Sequence, residues 1–175
     1  MWTMPAILGL ILGIVGAVGA LGVIELRPQL NVTPQGQLAP GQPFTAPFQL
    51  TNTGYLSTHI ENVIMLYPIV ELPGDNKIFD AAMGNVEWDN FDVDRGESKT
   101  IVANFTNGMP TKAEIVLGVD YDFLWMKWRW FFRFEGVHMD NWQWSRQPIG
   151  KDREQTLNRA MNNALLQHQH ANQRH

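Results

Sequence analysis

The sequence contains no cysteine. A chain without thiols has no disulfide framework, no thiolate nucleophile, no zinc–thiolate site and no haem attachment motif. Its serines are few, and none lies in the Gly-x-Ser-x-Gly pattern of hydrolases. Neither a phosphate-binding loop nor a dinucleotide fingerprint is present. We therefore expect no catalytic residue, no metal site, no cofactor and no small-molecule substrate, and we expect that the protein is not an enzyme.

An excess of basic residues is also missing, because the formal net charge is −4. Neutralisation of phosphates by Lys and Arg supplies most of the affinity of a protein for nucleic acid, so we expect no nucleic-acid partner. Asp120 and Asp122 flank Tyr121 with the spacing of an acid/base pair. No partner motif accompanies them, and we interpret them as ordinary strand carboxylates.

Residues 5–24 lack any charge and any side-chain hydrogen-bonding group. As a helix, such a segment covers roughly the 30 Å hydrocarbon core of a bilayer. We predict a transmembrane helix within residues 1–26. A cleaved signal peptide ending at Ala20 is the alternative, but no Lys or Arg precedes the segment and its apolar run is longer than a signal peptide needs.

Small side chains recur every four residues along this segment. In lipid such ridges let a second helix approach closely, so we predict packing against other membrane subunits or a second copy of the chain. Trp2 is placed like an anchor at the bilayer surface. We expect a single-pass protein of the inner membrane with its body on the periplasmic or external side. The predicted helix-packing residues are Gly9, Gly13, Gly16, Ala17 and Ala20.

Residues 27–148 have the two-residue apolar period of β-strands. About seven or eight short strands separated by Gly-, Pro- and Asn-containing turns indicate a mainly β domain, an antiparallel β-sandwich. Residues 60–66 are apolar on both faces, so we expect that strand to be covered on both sides. Pro47 cannot donate a ladder hydrogen bond, which favours an edge or bulged strand around it.

Residues 126–135 carry the strongest strand signal. Their aromatic side chains share one face, and we expect the sandwich core to cover that face, including Trp128 and Trp130, because its apolar area is large. We predict that this strand forms a hairpin with residues 116–121.

Two stretches of the body carry a family resemblance. They read LAPGQPFTAPFQLTNTG at residues 38–54 and RGESKTIVANF at residues 95–105. With a Pro-Gly turn before a strand that ends in Thr-Asn-x-Gly, and a Gly-Glu turn before a later one, the chain resembles membrane-anchored immunoglobulin-like domains of bacterial cell-envelope proteins. The resemblance implies an immunoglobulin-like sandwich and no particular activity. The cysteine pair of antibody domains is missing.

Residues 149–175 form the tail. From Lys151 to about His170 its apolar side chains fall at helical spacing on one narrow face, which predicts a C-terminal amphipathic helix. Asp152 and Glu154 lie in its first turn, where the helix dipole favours them. We predict that this face contacts a neighbouring subunit. Its residues are Leu157, Met161, Ala164 and Leu165.

Tryptophan is concentrated in residues 125–144. Because Trp is enriched at protein interfaces and at bilayer surfaces, we predict interface positions at Trp125, Trp142 and Trp144. Stacking of these rings on a glycan is an alternative. The acidic residues Asp92 and Asp94 belong to a stretch that offers carboxylates for calcium, although the spacing is not that of an EF-hand.

Two functions remain open from the sequence. The first is a non-enzymatic structural or assembly subunit of a membrane complex, for example a respiratory, photosynthetic, secretion or pilus-like one. It would contact neighbours through the sandwich and the tail helix. The alternative is a membrane-tethered module that binds a glycan or calcium on its Trp-rich or acidic loops.

Overall fold

The structure is a computed structural model that describes residues 28–36, 45–74, 76–81, 86–87, 90–104, 110–123, 125–139 and 142–173. The predicted membrane helix, with Trp2 and the small residues Gly9, Gly13, Gly16, Ala17 and Ala20, lies outside these residues. Across the described residues, none of the helices has the length and hydropathy needed to cross a bilayer.

The described chain is mainly β and forms two antiparallel sheets, with one C-terminal helix. The smaller sheet has the strand order β1-β2-β7. The larger sheet has the order β10-β9-β8-β3-β4, and β5 and β6 also pair with β3. The strands are β1 (Leu30–Pro34), β2 (Thr45–Asn52), β3 (Thr58–Leu72), β4 (Asn76–Ala81), β5 (Val86–Glu87), β6 (Phe91–Val93), β7 (Ser98–Asn104), β8 (Lys112–Phe123), β9 (Met126–His138) and β10 (Trp142–Gln147); the helix is α1 (Lys151–Asn172).

The main core lies between the two sheets. Phe48 of the smaller sheet meets Phe134 of the larger sheet with their ring centroids 5.1 Å apart. Leu50 and Ile101 of the smaller sheet are also buried in this core. The arrangement confirms the expected mainly β fold and the predicted hairpin, since β8 and β9 pair antiparallel over their whole length.

Strand β3 is buried on both faces, as its sequence predicts. Val63 and Met65 face the sandwich core, while Ile64 and Leu66 face a second apolar cluster on the other side of the sheet. Ile60 is on the core side although simple alternation would put it with Ile64. A shift of the pairing register between Ile60 and Asn62 accounts for this, because one extra residue exchanges the two faces.

Helix α1 covers the second cluster. Leu157, Met161 and Ala164 are buried against Ile64, Leu66 and Val116, on the face of the larger sheet that points away from the smaller sheet. Gly118 of β8 makes room for the helix, because a Cβ at this position would lie 2.2 Å from the sulfur of Met161.

Two strand predictions need correction, and one strand was missed. β2 is the central strand of the smaller sheet, not an edge; Pro47 lies past the last residue of β1, so its missing N–H removes no bond to that strand. Trp128 is 46% exposed, because the three-stranded sheet covers the later residues of β9 and not its first ones. Strand β10 was not predicted, since its two apolar side chains are too few to establish a period.

Candidate interaction surface

A network of polar side chains fixes α1 to the larger sheet. Arg129 of β9 donates to both carboxylate oxygens of Asp120 on β8, at 2.5 and 2.7 Å. The same guanidinium also donates to the side-chain oxygens of Asn158 and Asn162 of the helix, at 3.3 and 2.8 Å. Asp120 is therefore held in a bidentate ion pair with Arg129.

Glu114 is the most deeply buried carboxylate among the described residues, with 2% of its surface exposed. Arg133 donates to both of its oxygens at 3.0 Å, and Arg153 of α1 donates to it as well. The hydrogen bond with Glu114 raises the pKa of Arg133, against the opposing effect of burial. This buried carboxylate thus joins the first turn of the helix to the sheet.

Two open grooves flank α1. One, of about 420 Å³, is lined by Arg129, Arg133 and Arg146; the other, of about 250 Å³, is lined by Glu61, Asp120 and Lys127 among others. Arg146 donates to Asn31 at 3.3 Å, and Lys127 pairs with Glu61. These six charged side chains are therefore each held by a partner within the chain.

In the described part of the acidic stretch, Asp92 and Asp94 offer little to a metal ion. Asp92 pairs with His59 at 2.8 Å, and the side chain of Glu97 accepts a hydrogen bond from the backbone amide of Asp94 at 2.9 Å. Within the described ranges, no three His, Asp or Glu side chains converge on one point. The calcium alternative gains no support from these residues.

Trp142 and Trp144 lie on the inner side of β10. Their rings are stacked with centroids 5.2 Å apart, and Trp144 also packs edge-on against Phe48 at 5.4 Å. Gly136 makes room for Trp144, since a Cβ there would lie 2.6 Å from the indole. Both tryptophans are half-buried against the core, which leaves them poorly placed to stack on a glycan or to contact a partner.

One end of the sandwich brings together the first described residues and two connections. The backbone amide of Thr53 donates to Gln29 at 2.7 Å, and the buried side chain of Asn52 donates to the carbonyl oxygens of Leu56 and Val93. In the larger sheet, the start of β3 pairs with the end of β8, so the loop 53–57 and the β8–β9 turn project from the same end. We call it the proximal end, and the opposite end, at Met139, the distal end.

Large apolar side chains are exposed mainly at the proximal end. Of the eight exposed large apolar side chains in the described part of the chain, five belong to its loop and hairpin and two, Val137 and Met139, to the distal end. Arg95 lies over the ring of Tyr55, 4.7 Å from its centroid. The five are Tyr55 (57% exposed), Leu56 (42%), Trp125 (92%), Met126 (46%) and Trp128 (46%).

Trp125 has a backbone conformation that is unusual for its side chain. Its φ is 56°, and it is the single non-glycine residue with positive φ among the described residues. The left-handed region disfavours a side chain with a Cβ, and strained residues of this kind are concentrated at functional positions. A nearly fully exposed tryptophan held in this conformation contributes little to the core, so its ring is available to contact something outside the chain.

The predicted interface residues thus differ in how exposed they are. Trp125 is exposed as predicted, whereas Trp142 and Trp144 are half-buried. The helix face predicted to contact a neighbouring subunit packs instead on the larger sheet of the same chain. Leu157, Met161 and Ala164 are buried there, and Leu165 is partly buried beside them.

The exposed side chains of Tyr55, Leu56 and Met126 were not predicted as interface residues. Tyr55 and Leu56 follow the Asn-Thr-Gly turn and carry no periodicity of their own. The signal that was present is the apolar run at residues 123–125, because hairpin turns normally contain Gly, Asn or Asp.

Comparisons with protein-family models and with curated proteins found no match to this chain.

Proposed function

We propose that this protein is a non-enzymatic structural subunit of a multi-protein membrane complex. In this proposal residues 5–24 form a single transmembrane helix, and an immunoglobulin-like sandwich stands on the periplasmic or external side of the inner membrane. The helix would meet other subunits, or a second copy of the chain, through Gly9, Gly13 and Ala17.

The observation that carries the proposal is the distribution of polar and apolar side chains over the body. The carboxylates and guanidiniums that could perform chemistry, such as Asp120, Glu114 and Arg133, are occupied in holding α1 on the sheet. Five of the eight large apolar side chains exposed among the described residues lie at the proximal end, which is also the end where Gln29 is bonded, on the side of the chain that leads to residues 5–24. Such a body acts through contact rather than through reaction.

Partner contact is assigned mainly to the membrane helix, since the apolar face of the tail helix is already buried in the chain. Small residues four apart provide close backbone approach in lipid, where packing drives association. The sandwich contributes its exposed surface and the edge strand β10, which ends the larger sheet in the described part of the chain. An exposed edge is a natural site for pairing with another chain.

The test is purification of the tagged full-length chain from native membranes in mild detergent. We expect a stoichiometric complex, and we expect Gly13→Leu to reduce the co-purifying subunits several-fold by blocking close helix approach. Val15→Leu adds bulk outside the small-residue ridge and serves as the matched control. A monomer on native gels, with the same behaviour for both variants, would contradict the proposal.

A further inference from the structure

We infer that the proximal end is a bilayer-contacting surface, with Trp125, Met126, Tyr55 and Leu56 placed in the lipid headgroup region. The inference rests on the proposed membrane tether and adds to it a second contact with the bilayer, made by the folded body. Its occupant is the lipid surface itself and not a protein partner.

The first step is the length of the connection. Gln29 is bonded to Thr53 at the proximal end, and Pro28 is buried beside it. Three residues lie between Ile24, the last residue of the apolar segment, and Pro28, so the two are four residue steps apart. A fully extended chain spans at most about 3.5 Å per residue, so Pro28 lies within about 14 Å of the end of the tether. This end of the body is therefore the one held next to the bilayer.

The second step is the chemistry of the side chains found there. Trp and Tyr are the residues enriched at both membrane–water interfaces, because an apolar ring and a polar group suit the headgroup layer. Trp125 is 92% exposed, and Met126 and Leu56 extend the same apolar end. Arg95 lies over Tyr55, and Lys127 is 75% exposed although it pairs with Glu61. Two cationic side chains thus lie beside the rings, where the lipid phosphates would be.

The third step is the strain at Trp125. A turn residue with positive φ is ordinarily Gly, Asn or Asp. A tryptophan with this φ destabilises the folded chain, and burial of its ring does not offset that cost because Trp125 is 92% exposed. Contact of the indole with lipid supplies a compensation that becomes available only at the membrane.

The absence of cysteine allows a labelling test on the full-length chain. Met126→Cys at the proximal end and Met139→Cys at the distal end introduce the same thiol about 40 Å apart along β9. Both variants are labelled with an environment-sensitive nitrobenzoxadiazole dye and reconstituted in phosphatidylcholine vesicles. Quenching by lipids with a nitroxide near the headgroup is compared with quenching by aqueous iodide. Leu12→Cys, labelled in the same way, reports the tether.

We expect the dye at position 126 to be blue-shifted and quenched by the lipid nitroxide several-fold more than the dye at position 139. Equal, weak lipid quenching at 126 and 139 with strong quenching at 12 would overturn the inference and leave the tether standing. A dye at 126 shielded from both lipid nitroxide and iodide would also overturn it, because a protein segment would then cover the surface. Quenching at 126 without quenching at 12 would support lipid contact and refute the tether.

Trp125→Asn gives an independent readout in the Met126→Cys background. Asn tolerates the left-handed conformation, so the turn is retained while the ring is removed. We expect the lipid quenching at position 126 to fall several-fold and the thermal stability to be maintained. Unchanged quenching would show that the indole makes no part of the contact and would contradict the inference.

Discussion

At the scale of single residues, Trp125 shows how the chain accepts local strain for an exposed ring. Replacing it by Gly removes the Cβ that conflicts with φ of 56°. We expect Trp125→Gly to raise the free energy of unfolding by about 1 kcal/mol in urea denaturation, because left-handed geometry penalises other L-residues by that amount. Trp125→Ala retains the Cβ and is the control. Equal stabilisation by both variants would attribute the effect to the ring and not to the backbone.

Gly136 is a second position where one atom decides the local packing. A Cβ would lie 2.6 Å from the indole of Trp144, which stacks on Trp142 and touches Phe48. We expect Gly136→Ala to lower the free energy of unfolding by about 1–3 kcal/mol, as overpacking does, and to change the near-ultraviolet circular dichroism of the paired indoles.

Gly36→Ala is the matched control, since a Cβ there meets nothing within 4 Å. An unchanged aromatic signal and an unchanged free energy of unfolding in Gly136→Ala would show that the Cβ is accommodated without moving the stacked tryptophans, and would contradict the prediction.

At the scale of secondary-structure elements, Glu114 is the residue that couples α1 to the sheet. It is 2% exposed and shared by Arg133 and Arg153. Loss of one partner from a buried ion pair leaves uncompensated charge, so we expect Glu114→Gln to cost about 3 kcal/mol and to increase amide hydrogen exchange in the first turns of α1. Glu97→Gln, in an exposed pair with Lys99 away from the helix, is the control. Comparable exchange in the two variants would refute this coupling.

The β8–β9 pair also carries a pH dependence. Lys112 and Glu135 lie 2.5 Å apart, and their hydrogen bond lowers the pKa of Glu135 from 4.5 and raises the pKa of Lys112 from 10.5. The stabilisation from Glu135 is present above its ordinary pKa and is lost as the pH falls through the folded value. That from Lys112 is complete below 10.5 and is lost as the pH rises through its folded value.

We therefore expect Glu135→Gln to flatten the fall in Tm between about pH 5 and about pH 3. Glu154→Gln, which is exposed on α1, serves as the control. If the Tm of Glu135→Gln falls as steeply with decreasing pH as that of the unaltered protein, this ion pair is not the source of the fall.

The elements differ in how well sequence predicts them. The alternation of apolar and polar residues predicted β9 and its two faces, because this two-residue period can be seen in the strand's own sequence. Which part of the aromatic face is covered depends on the width of the opposing sheet, which no local pattern contains; Trp130 packs against the core while Trp128 is half exposed. The apolar face of α1 was likewise predicted, but not the larger sheet on which it packs. The outer apolar residues of β3, Ile64 and Leu66, were the available signal.

The candidate surface could be predicted only in part. Trp125 was identified from composition, whereas Tyr55 and Leu56 join it through the pairing of β3 with β8, a contact between residues far apart in the chain. Non-local register of this kind is set by the whole sandwich.

At the scale of the whole molecule, the tail is part of the folded body. Near its start, the helix contacts Glu114 through Arg153, toward the distal end of the sheet. Further along, it contacts Arg129 through Asn162, toward the proximal end, so the helix points toward the proximal end. Its removal would expose a continuous apolar strip on the larger sheet at Ile64, Leu66 and Val116. The tail is therefore expected to stabilise the body whether or not a neighbouring subunit is present.

Deletion of residues 151–175 tests this directly. Each buried Leu, Ile, Val or Met side chain contributes about 1.5–3 kcal/mol, and a net loss of about 3 kcal/mol lowers the Tm of a domain of this size by roughly 10 °C. We expect at least that loss, with increased binding of a hydrophobic dye. Leu157→Gln (6% exposed) should reproduce part of it and Leu166→Gln (52% exposed) none. A truncated chain that keeps its Tm but loses its co-purifying subunits would instead make the tail a clamp on a neighbour.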